Sequence, residues 1–415
     1  WSIGNEIWLN KATSSNTMGD ASGMSKERIE RFCKTIRDID SSRPVAIGLC
    51  HKEAVTNDVL GALDLTGWNY GEQYNIMKKQ YPDKPVLYSE SASAVSEWGY
   101  YGYLLPTSKT CYGDSKLHVS SYDHSSAWWS DIPDLEFFRM ERDRYCGGEF
   151  VWTGIDYLGE PTPMEYGHLV PTSMPRSVTA RSSYFGIADL CGVPKDRYWL
   201  YRAHWKPELP TLHILPHWNW AGCEGKKIPV YVYTDADSAE LFLNGKSLGK
   251  KSKKDPAERP SILDAKYFAV CSSYRLRWFD VPYEPGELKV VAYRDGKAVG
   301  EKVMRTCGKA VAVKLTDDPH NPADASTRFV QVDLVDEKGT RDPLSMERVS
   351  FSIEGPGEIV AVGNGNPRAY DVFTDVSSHP LYYGKAVAVV RRTAPGAIKL
   401  VASCGSLTPA TLEIK

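Results

Sequence analysis

The sequence predicts a multidomain chain that is α/β in its first part and all-β in its second. Over residues 1 to about 205, short apolar runs alternate with amphipathic segments, which is typical of a parallel sheet covered by helices. From about residue 206, runs with an apolar residue at every second position replace this alternation and indicate antiparallel strands. Three prolines within residues 207–216 mark the change between the two patterns.

The elements of the first part follow one another in a regular order. Its apolar runs predict strands at residues 1–6, 45–49, 63–70, 85–90 and 148–152. Its amphipathic segments predict helices at residues 26–39, 72–80 and 134–145. The apolar face of the first helix is predicted to consist of Ile29, Phe32, Cys33, Ile36 and Ile39. Strands that alternate with helices in this way are expected to run parallel.

The second part predicts two β-sandwiches of about 100 residues each. Its alternating runs include residues 228–233, 239–243, 287–293, 311–315, 329–335, 349–353, 386–390 and 398–402. Asn244-Gly245 and Asp295-Gly296 lie between such runs and predict tight hairpin turns. With a division near residues 307–309, the predicted domains are 1–205, 206–307 and 308–415.

Composition excludes several classes of protein. The 50 Lys and Arg residues balance 52 Asp and Glu residues, and this formal charge of -2 argues against a nucleic-acid binder. The hydrophobic fraction of 42% is that of a globular protein, and no run of about 20 apolar residues predicts a membrane span. The 9 cysteines show no zinc-ligand spacing. The 12 Trp and 24 Tyr residues supply flat rings that either stack on sugars or fill a large core.

Two glutamates stand at the carboxyl ends of predicted strands. Glu6 ends the first strand and Glu90 ends the fourth. In a (β/α)8 barrel this end of the strands forms the active face. Retaining hydrolysis of a glycoside needs two carboxyl groups about 5–5.5 Å apart, one as acid/base and one as nucleophile. On spacing alone, surface glutamates at the starts of loops are the alternative.

Three segments resemble motifs of glycoside hydrolase family 2, the β-galactosidase and β-glucuronidase family. Trp1-Ser-Ile-Gly-Asn-Glu6 is similar to the acid/base motif of barrel strand 4, and Tyr88-Ser-Glu-Ser91 to the nucleophile motif of strand 7. Residues 147–161, which include Gly-Glu-Phe-Val-Trp152, resemble the strand-8 segment of the galactosidase branch. The resemblance implies that residues 1–205 are the C-terminal part of a (β/α)8 TIM barrel, from strand 4 to helix 8. It also implies that the two sandwiches are immunoglobulin-like.

The resemblance implies roles for the residues that match these motifs. Glu6 matches the acid/base, whose carboxyl group must be protonated before the first step, with help from burial and from the nucleophile's charge. Glu90 matches the nucleophile, which must be ionised. Asn5 matches the residue that hydrogen-bonds the sugar 2-hydroxyl, with capping of the following loop as the alternative.

Four further residues are expected near the substrate. Tyr70 matches the tyrosine whose hydroxyl orients the nucleophile, with Tyr74 or a core role for Tyr70 as alternatives. Trp152 matches the aromatic floor of the sugar subsite, with core packing as the alternative. Asn69 contacts either the substrate or the loop. His51 follows the second predicted strand, which the resemblance makes strand 5 of the barrel. Its side chain either reaches the substrate or makes its hydrogen bonds within its own loop.

Weaker candidates are aromatic or acidic. Aromatic residues that either form subsites for the leaving group or pack in the loops are Trp98, Trp128 and Trp129. Alternative carboxylates for the nucleophile are Glu72, Glu97 and Glu160. Glu149 and Asp156 flank the strand-8 tryptophan, and Glu149 is expected to be structural.

The sequence thus predicts a retaining, exo-acting β-glycoside hydrolase, with β-galactosidase as the favoured specificity. Family members that cleave β-glucuronides use an Asn-x-Lys motif after strand 8, and residues 179–186 contain none. Arg181 in this stretch is a cation that suits an acidic sugar, so β-glucuronidase stays open, as does β-mannosidase. A non-catalytic carbohydrate-binding fragment is the alternative from another class, and the paired carboxylates argue against it.

The remaining expectations concern what surrounds the site. A complete barrel takes about 250 residues, so the chain is predicted to be the C-terminal part of a longer protein. Its predicted partners are a carbohydrate substrate and that N-terminal part, with homo-oligomers as a further option.

No residue set demands a cofactor; family members sometimes hold Mg²⁺ or Na⁺ near the site, and ligands for them are not assigned. The resemblance suggests a periplasmic or secreted location, which the sequence itself leaves undetermined.

Overall fold

The computed structural model describes residues 1–7, 25–50, 59–102, 105, 109–110, 116–159, 161, 180–253 and 267–414. The chain divides into two compact units. The first unit comprises Trp1–Ala94 and Ser126–Thr153, and the second comprises Val95–Ser125 and Gly154–Lys415.

The first unit is built on a parallel sheet. The strands up to residue 151 are β1 (Ser2–Asn5), β2 (Ala46–Leu49), β3 (Thr66–Asn69), β4 (Val86–Ser91), β5 (Ala94–Val95), β6 (Ser125–Ser126) and β7 (Cys146–Val151). Strands β1, β2, β3, β4 and β7 lie side by side in this order, and each neighbouring pair is parallel. The helices are α1 (Lys26–Ile39), α2 (Tyr74–Gln80) and α3 (Pro133–Arg142), with a 3-10 turn at Val59–Ala62. The predicted strands and helices of this part are therefore confirmed to within a few residues.

The core of the first unit joins strands to the first helix. Ile47, Trp68 and Tyr88 from the strands pack with Ile29 and Cys33 from α1, and all five are at most 1% exposed. This packing fixes the sheet against α1 and so holds the carboxyl ends of the strands at one edge.

Helix α1 differs from its prediction on one side. Its start is confirmed, and the Ser25 hydroxyl accepts a hydrogen bond from the backbone N–H of Arg28 at 3.3 Å. The predicted apolar face included Phe32 and Ile39, which are instead 38% and 83% exposed. At 100° per residue these two side chains lie roughly 60–80° round the helix from Ile29, outside the stripe that meets the sheet.

The second unit is mainly antiparallel. Its first group of strands is β8 (Leu212–Leu215), β9 (Lys227–Thr234), β10 (Ser238–Leu243), β11 (Lys246–Ser252), β12 (Leu276–Pro282), β13 (Glu287–Arg294) and β14 (Lys297–Arg305). They form a four-stranded sheet in the order β11-β10-β13-β14 and a three-stranded sheet in the order β12-β9-β8. Side chains of both sheets share one core, including Val232, Leu241, Trp278 and Val290. Helix α4 (Asp196–Trp205) precedes these strands, and a 3-10 helix spans Tyr267–Ser273.

A second pair of sheets follows in the same unit. Its strands are β15 (Ala312–Asp317), β16 (Thr327–Val335), β17 (Arg348–Glu354), β18 (Gly357–Gly363), β19 (Ser378–Pro380), β20 (Ala386–Arg392), β21 (Ile398–Ser403) and β22 (Ala410–Ile414). The sheet orders are β15-β16-β20-β18 and β19-β17-β21-β22. Val332 and Val362 from one sheet share a core with Phe351 and Leu400 from the other.

Both predicted hairpins are confirmed. Asn244-Gly245 joins β10 to β11, and Asp295-Gly296 joins β13 to β14. All four residues have positive φ, as a two-residue turn of type I′ requires. The observed fold is thus mostly β with few helices, while the complete barrel and the immunoglobulin-like topology stay predictions. Within the part of the chain described here, no helix is long and apolar enough to cross a membrane.

Candidate active site

The carboxyl ends of neighbouring strands bring the predicted acidic and amide side chains together. Asn5 at the end of β1 is in register with Gly48 of β2, and Asn69 at the end of β3 is in register with Glu90 of β4. Because these strands are parallel neighbours, residues far apart in sequence meet at one edge of the sheet. Glu6, directly after β1, lies at the same edge.

Glu90 is the buried carboxylate of this group, with only 9% of its surface exposed. The Tyr70 hydroxyl donates a hydrogen bond of 2.5 Å to its Oε2. Burial raises the pKa of Glu90 to about 7, and the charge of Glu6 adds to the increase. Hydrogen bonds from Tyr70, Asn5 and Asn69 act in the opposite direction. The group with the raised pKa is therefore the residue that matches the nucleophile, which the sequence predicts to be ionised.

Tyr70 is a fixed hydrogen-bond donor. Burial, followed by the neighbouring Glu90 charge, raises its pKa, so the phenol keeps its proton at neutral pH. The alternative residue, Tyr74, donates its hydroxyl hydrogen to Asp143 at 2.7 Å instead. Of the two tyrosines, Tyr70 is thus the one whose hydroxyl contacts Glu90.

Asn69 joins Glu6 to Asn5 through hydrogen bonds. Its Nδ2 donates to Glu6 Oε1 at 3.0 Å and to Asn5 Oδ1 at 3.0 Å. Its Oδ1 accepts a hydrogen bond of 2.6 Å from the Ser89 hydroxyl, which fixes the orientation of the amide. The sequence predicts either a substrate contact or a loop contact for Asn69, and it predicts no role for Ser89. The one available signal was the position of Ser89 beside Glu90 in the strand-7 motif.

The backbone at two of these residues adopts an uncommon conformation. Glu6 has φ of 49° and Tyr70 has φ of 58°, in the left-handed region that non-glycine residues rarely occupy. Each is held by a backbone hydrogen bond, from Glu6 N–H to Gly48 O at 2.9 Å and from Tyr70 N–H to Glu90 O at 2.8 Å. Strain of this kind, on the order of 1 kcal/mol per residue, is found where a side chain must be aimed precisely.

Two glycines make room for the polar side chains. A Cβ at Gly48 would lie 2.6 Å from Asn5 Oδ1, and a Cβ at Gly67 would lie 2.7 Å from Ser89 Oγ and 2.9 Å from the carbonyl oxygen of Ile47. All three distances to oxygen are shorter than van der Waals contact allows. The hydrogen-bonded group therefore requires glycine at these positions of β2 and β3.

We expect Gly67→Ala to destabilise the protein by about 1–3 kcal/mol, because the new methyl group meets a backbone oxygen that cannot move aside. Chemical denaturation measures this change. Gly300→Ala is the matched control, since its Cβ would have no heavy atom nearer than 4.0 Å. Equal stability of the two variants would show that the strands adjust freely at Gly67.

Two other predicted residues have different outcomes. Trp152 follows β7, is half-buried, and donates its backbone N–H to Ser91 O at 2.9 Å, which places it beside the end of β4. His51 lies outside the described residues, so its predicted contact stays a prediction.

The alternative carboxylates are engaged elsewhere. Glu72 pairs with Arg139 at 3.0 Å in the first unit. Glu97 pairs with Arg368 at 2.8 Å in the second unit. Glu160 lies outside the described residues. Glu72 and Glu97 are therefore each held in an ion pair with an arginine, unlike Glu90, whose carboxylate accepts a hydrogen bond from Tyr70.

One group that sequence reasoning did not connect with the site is the thiol of Cys50. This residue follows β2, and burial raises its pKa to about 12, with further increases from the charge of Glu6 and a hydrogen bond to it. The thiol is thus neutral and lies beside Glu6.

Among the described residues, no group of three or more His, Cys, Asp or Glu side chains is arranged to hold a metal ion.

Two family models and several curated proteins match this chain. The model of glycoside hydrolase family 2 C-terminal domain 5 matches residues 314–413, and that of a domain of unknown function, DUF4982, matches residues 225–300. The β-galactosidase BoGH2A of Bacteroides ovatus is 34% identical over 452 residues, which cover 100% of this chain and 49% of that protein. A β-glucuronidase of Formosa agariphila is 26% identical over 296 residues, which cover 67% of this chain and 26% of that protein.

Solved structures of glycoside hydrolases also match this chain. A β-glycosidase from Bacteroides vulgatus is 25% identical with a TM-score of 0.76, over 100% of this chain and 50% of that chain. A family 2 glycosyl hydrolase from Bacteroides cellulosilyticus is 28% identical with a TM-score of 0.69, over 100% of this chain and 48% of that chain. These matches identify the class as the glycoside hydrolases. More narrowly, the chain belongs to glycoside hydrolase family 2 and spans about half the length of its Bacteroides relatives.

Proposed function

We propose that this chain carries the catalytic carboxylates of a retaining, exo-acting β-glycosidase, with Glu6 as acid/base and Glu90 as nucleophile. The observation that supports this most is that hydrogen bonds hold each of the two glutamates at the same edge of the sheet. Asn69 donates to Glu6, while Tyr70 donates to a Glu90 carboxylate that is almost fully buried. A non-catalytic binding module has no need for such a costly pair of neighbouring carboxylates.

The reaction follows from the two positions. In the first step a Glu90 carboxylate oxygen attacks the anomeric carbon while Glu6 gives its proton to the departing glycosidic oxygen. In the second step Glu6, now ionised, takes a proton from water, and the water oxygen displaces Glu90 from the anomeric carbon. The β configuration is retained because the carbon is inverted twice.

The surrounding groups support the separate roles of the two carboxylates. The Tyr70 hydroxyl holds one Glu90 oxygen and so directs the other toward the sugar. Asn69 holds Glu6 and Asn5 in one arrangement, which leaves Asn5 to bind a sugar hydroxyl. Trp152, half-buried beside the end of β4, supplies the aromatic floor of the sugar subsite.

A β-galactoside is the favoured substrate. A relative that matches the whole chain is named a β-galactosidase, and residues 179–186 lack Asn-x-Lys. A β-glucuronide is the second candidate, because another relative is named a β-glucuronidase. Arg181 argues little for it, since its guanidinium donates to Ala369 O at 3.1 Å and lies over the Tyr370 ring. Hydrolysis rates for matched aryl β-galactosides, β-glucuronides and β-mannosides distinguish the three.

The fold assignment belongs to the same proposal. The five parallel strands β1, β2, β3, β4 and β7 correspond to strands 4 to 8 of a (β/α)8 barrel. The two pairs of sheets at residues 206–307 and 308–415 correspond to immunoglobulin-like sandwiches. In a barrel of this kind the carboxyl ends of the strands carry the active site, which agrees with the position of Glu6 and Glu90.

We expect Glu6→Gln to affect substrates according to their leaving groups. Removal of the acid should lower kcat/KM by about 10²–10⁴-fold for a sugar leaving group and much less for dinitrophenolate, which departs without protonation. Kinetics with an acidity series of aryl glycosides measure this. Glu30→Gln, a change at an exposed position on α1, is the control. Equal losses on all leaving groups would contradict the acid role of Glu6.

A further inference from the structure

We infer that Trp128 is the stacking platform for the sugar ring of the leaving group, so that the natural substrate is an oligosaccharide. This inference rests on the proposed function and extends it from the bond that is cleaved to the group on its far side. The first unit alone supplies all the contacts on which it depends.

A continuous series of aromatic rings leads from the nucleophile to Trp128. Tyr70, whose hydroxyl binds Glu90, meets Trp129 edge to face, with ring centroids 6.4 Å apart and planes at 67°. Trp129 in turn meets Trp128 edge to face, at 5.4 Å and 89°. Trp128 is therefore two ring contacts from Tyr70, the residue that orients Glu90.

The exposure of Trp128 is unusual for its surroundings. Its side chain is 64% exposed, whereas Ala127 and Ser130 in the same turn are at most 1% exposed. An indole left open in this way, beside the ring series that leads to Tyr70, offers a surface on which a flat amphipathic ligand can stack. The perpendicular contact with Trp129 covers at most one face of the Trp128 indole, so the other face is open to a ligand.

The turn that carries Trp128 is firmly held. The Ala127 N–H donates to Ser93 O at 2.9 Å, and the Ser93 N–H donates to the Ser130 hydroxyl at 2.8 Å. The Ser130 N–H closes the turn onto Ala127 O at 3.1 Å. Because Ser93 lies two residues after the end of β4, these bonds tie the indole to the strand that carries Glu90. A platform fixed in this way loses little conformational entropy when a sugar binds.

The other described candidates do not share these features. Trp98 has the Lys385 ammonium 4.3 Å and the Arg341 guanidinium 5.3 Å from its ring centroid. Trp1 is 56% exposed but precedes β1, at the amino end of the sheet, and its Nε1 donates to Asp40. Trp128 thus combines an open face with a position at the carboxyl ends of the strands.

The choice of a sugar as occupant follows from the chemistry of the surface. The C–H face of a pyranose stacks on an indole, while its hydroxyl groups remain in water beyond the ring edge. An exposed platform suits such an amphipathic ligand, whereas a planar aromatic leaving group would gain more from a closed apolar slot. The occupant we propose is therefore the pyranose ring of a saccharide leaving group.

The test compares Trp128→Ala with wild type on two substrates of the same glycone, a disaccharide and a glycosyl fluoride, which has no leaving-group ring. We expect kcat/KM for the disaccharide to fall about tenfold and that for the fluoride to change less than twofold. Trp128→Phe should retain most activity on the disaccharide. Phe329→Ala, at a 46% exposed position of β16, is the control and should leave both rates unchanged.

Three other results would overturn the inference. Equal losses on both substrates would show that Trp128 acts on the catalytic groups or on folding. An unchanged rate on the disaccharide would show that no sugar stacks there, and a loss confined to aryl glycosides would assign the platform to aromatic leaving groups. If the wild-type protein cleaves neither the disaccharide nor the fluoride, the proposed function itself fails, which is distinct from failure of Trp128 alone.

Discussion

Glu90→Gln is expected to lower kcat at least ~10⁴-fold on every glycoside, including those with the best leaving groups. An amide cannot attack the anomeric carbon, and a good leaving group does not replace the nucleophile. Steady-state kinetics with a dinitrophenyl glycoside measure the loss. Residual activity within about tenfold of wild type would contradict the nucleophilic role. The exposed change Glu30→Gln serves again as the control.

The same substitution should stabilise the protein, and the effect should depend on pH. The folded protein holds the pKa of Glu90 at about 7, above its ordinary value near 4.5. A carboxyl group with a raised pKa lowers the stability of the fold as pH increases from about 4.5 through 7, because its charge is buried. Removal of the charge should therefore add about 2–3 kcal/mol at pH 8 and almost nothing at pH 4.5.

Denaturant unfolding at the two pH values measures this difference. Glu358→Gln, at an exposed ion pair with Arg391, should show no such pH dependence. The predicted stabilisation would be contradicted if Glu90→Gln were no more stable than wild type at pH 8. Loss of activity together with a gain in stability is expected of a residue retained for chemistry and not for folding.

Lys195→Met is expected to be the most destabilising of the changes considered, at about 3–5 kcal/mol. In the second unit the Lys195 ammonium lies 2.6 Å from the Asp156 carboxylate, with exposed side-chain fractions of 1% and 3%. Its Nζ also donates to Ser96 O at 2.8 Å and Tyr184 O at 3.2 Å. Methionine fills a similar volume but leaves the Asp156 charge buried and unpaired. Thermal or denaturant unfolding measures the loss.

The control is the same substitution at an exposed ion pair. Lys206 lies 3.7 Å from Glu208, with both side chains more than 60% exposed, so Lys206→Met should cost less than about 1 kcal/mol. Burial already raises the pKa of Asp156, and loss of Lys195 should raise it further. The deficit of Lys195→Met should therefore shrink as pH falls and Asp156 takes up a proton. A deficit independent of pH would show that lost packing, not an unpaired charge, is its cause.

Local pattern predicted much of the fold. The strands that end near Glu6 and Glu90, helix α1 and the Asn244-Gly245 and Asp295-Gly296 turns all depend on short-range periodicity or turn chemistry. These signals lie within a few residues of the element they form. The parallel order of β1 to β4 follows from strand–helix alternation, and it brings the two glutamates to one edge.

What the sequence could not predict depends on long-range partners. The Ser89–Asn69 and Lys195–Asp156 contacts join residues whose pairing no local pattern encodes. The raised pKa of Glu90 depends on its burial in the folded chain, which no local pattern encodes. The exposed state of Phe32 likewise depends on how much of the helix surface the sheet covers.

The most direct test of the central claim is covalent trapping. A 2-deoxy-2-fluoro glycosyl fluoride of the preferred sugar reacts with a retaining enzyme but leaves it slowly, because the 2-fluorine destabilises the transition states. Digestion and mass spectrometry then locate the attached sugar. We predict one sugar per chain, on Glu90, and none on Glu90→Gln. A sugar attached to another residue, or release of the inverted anomer without any attachment, would contradict the account.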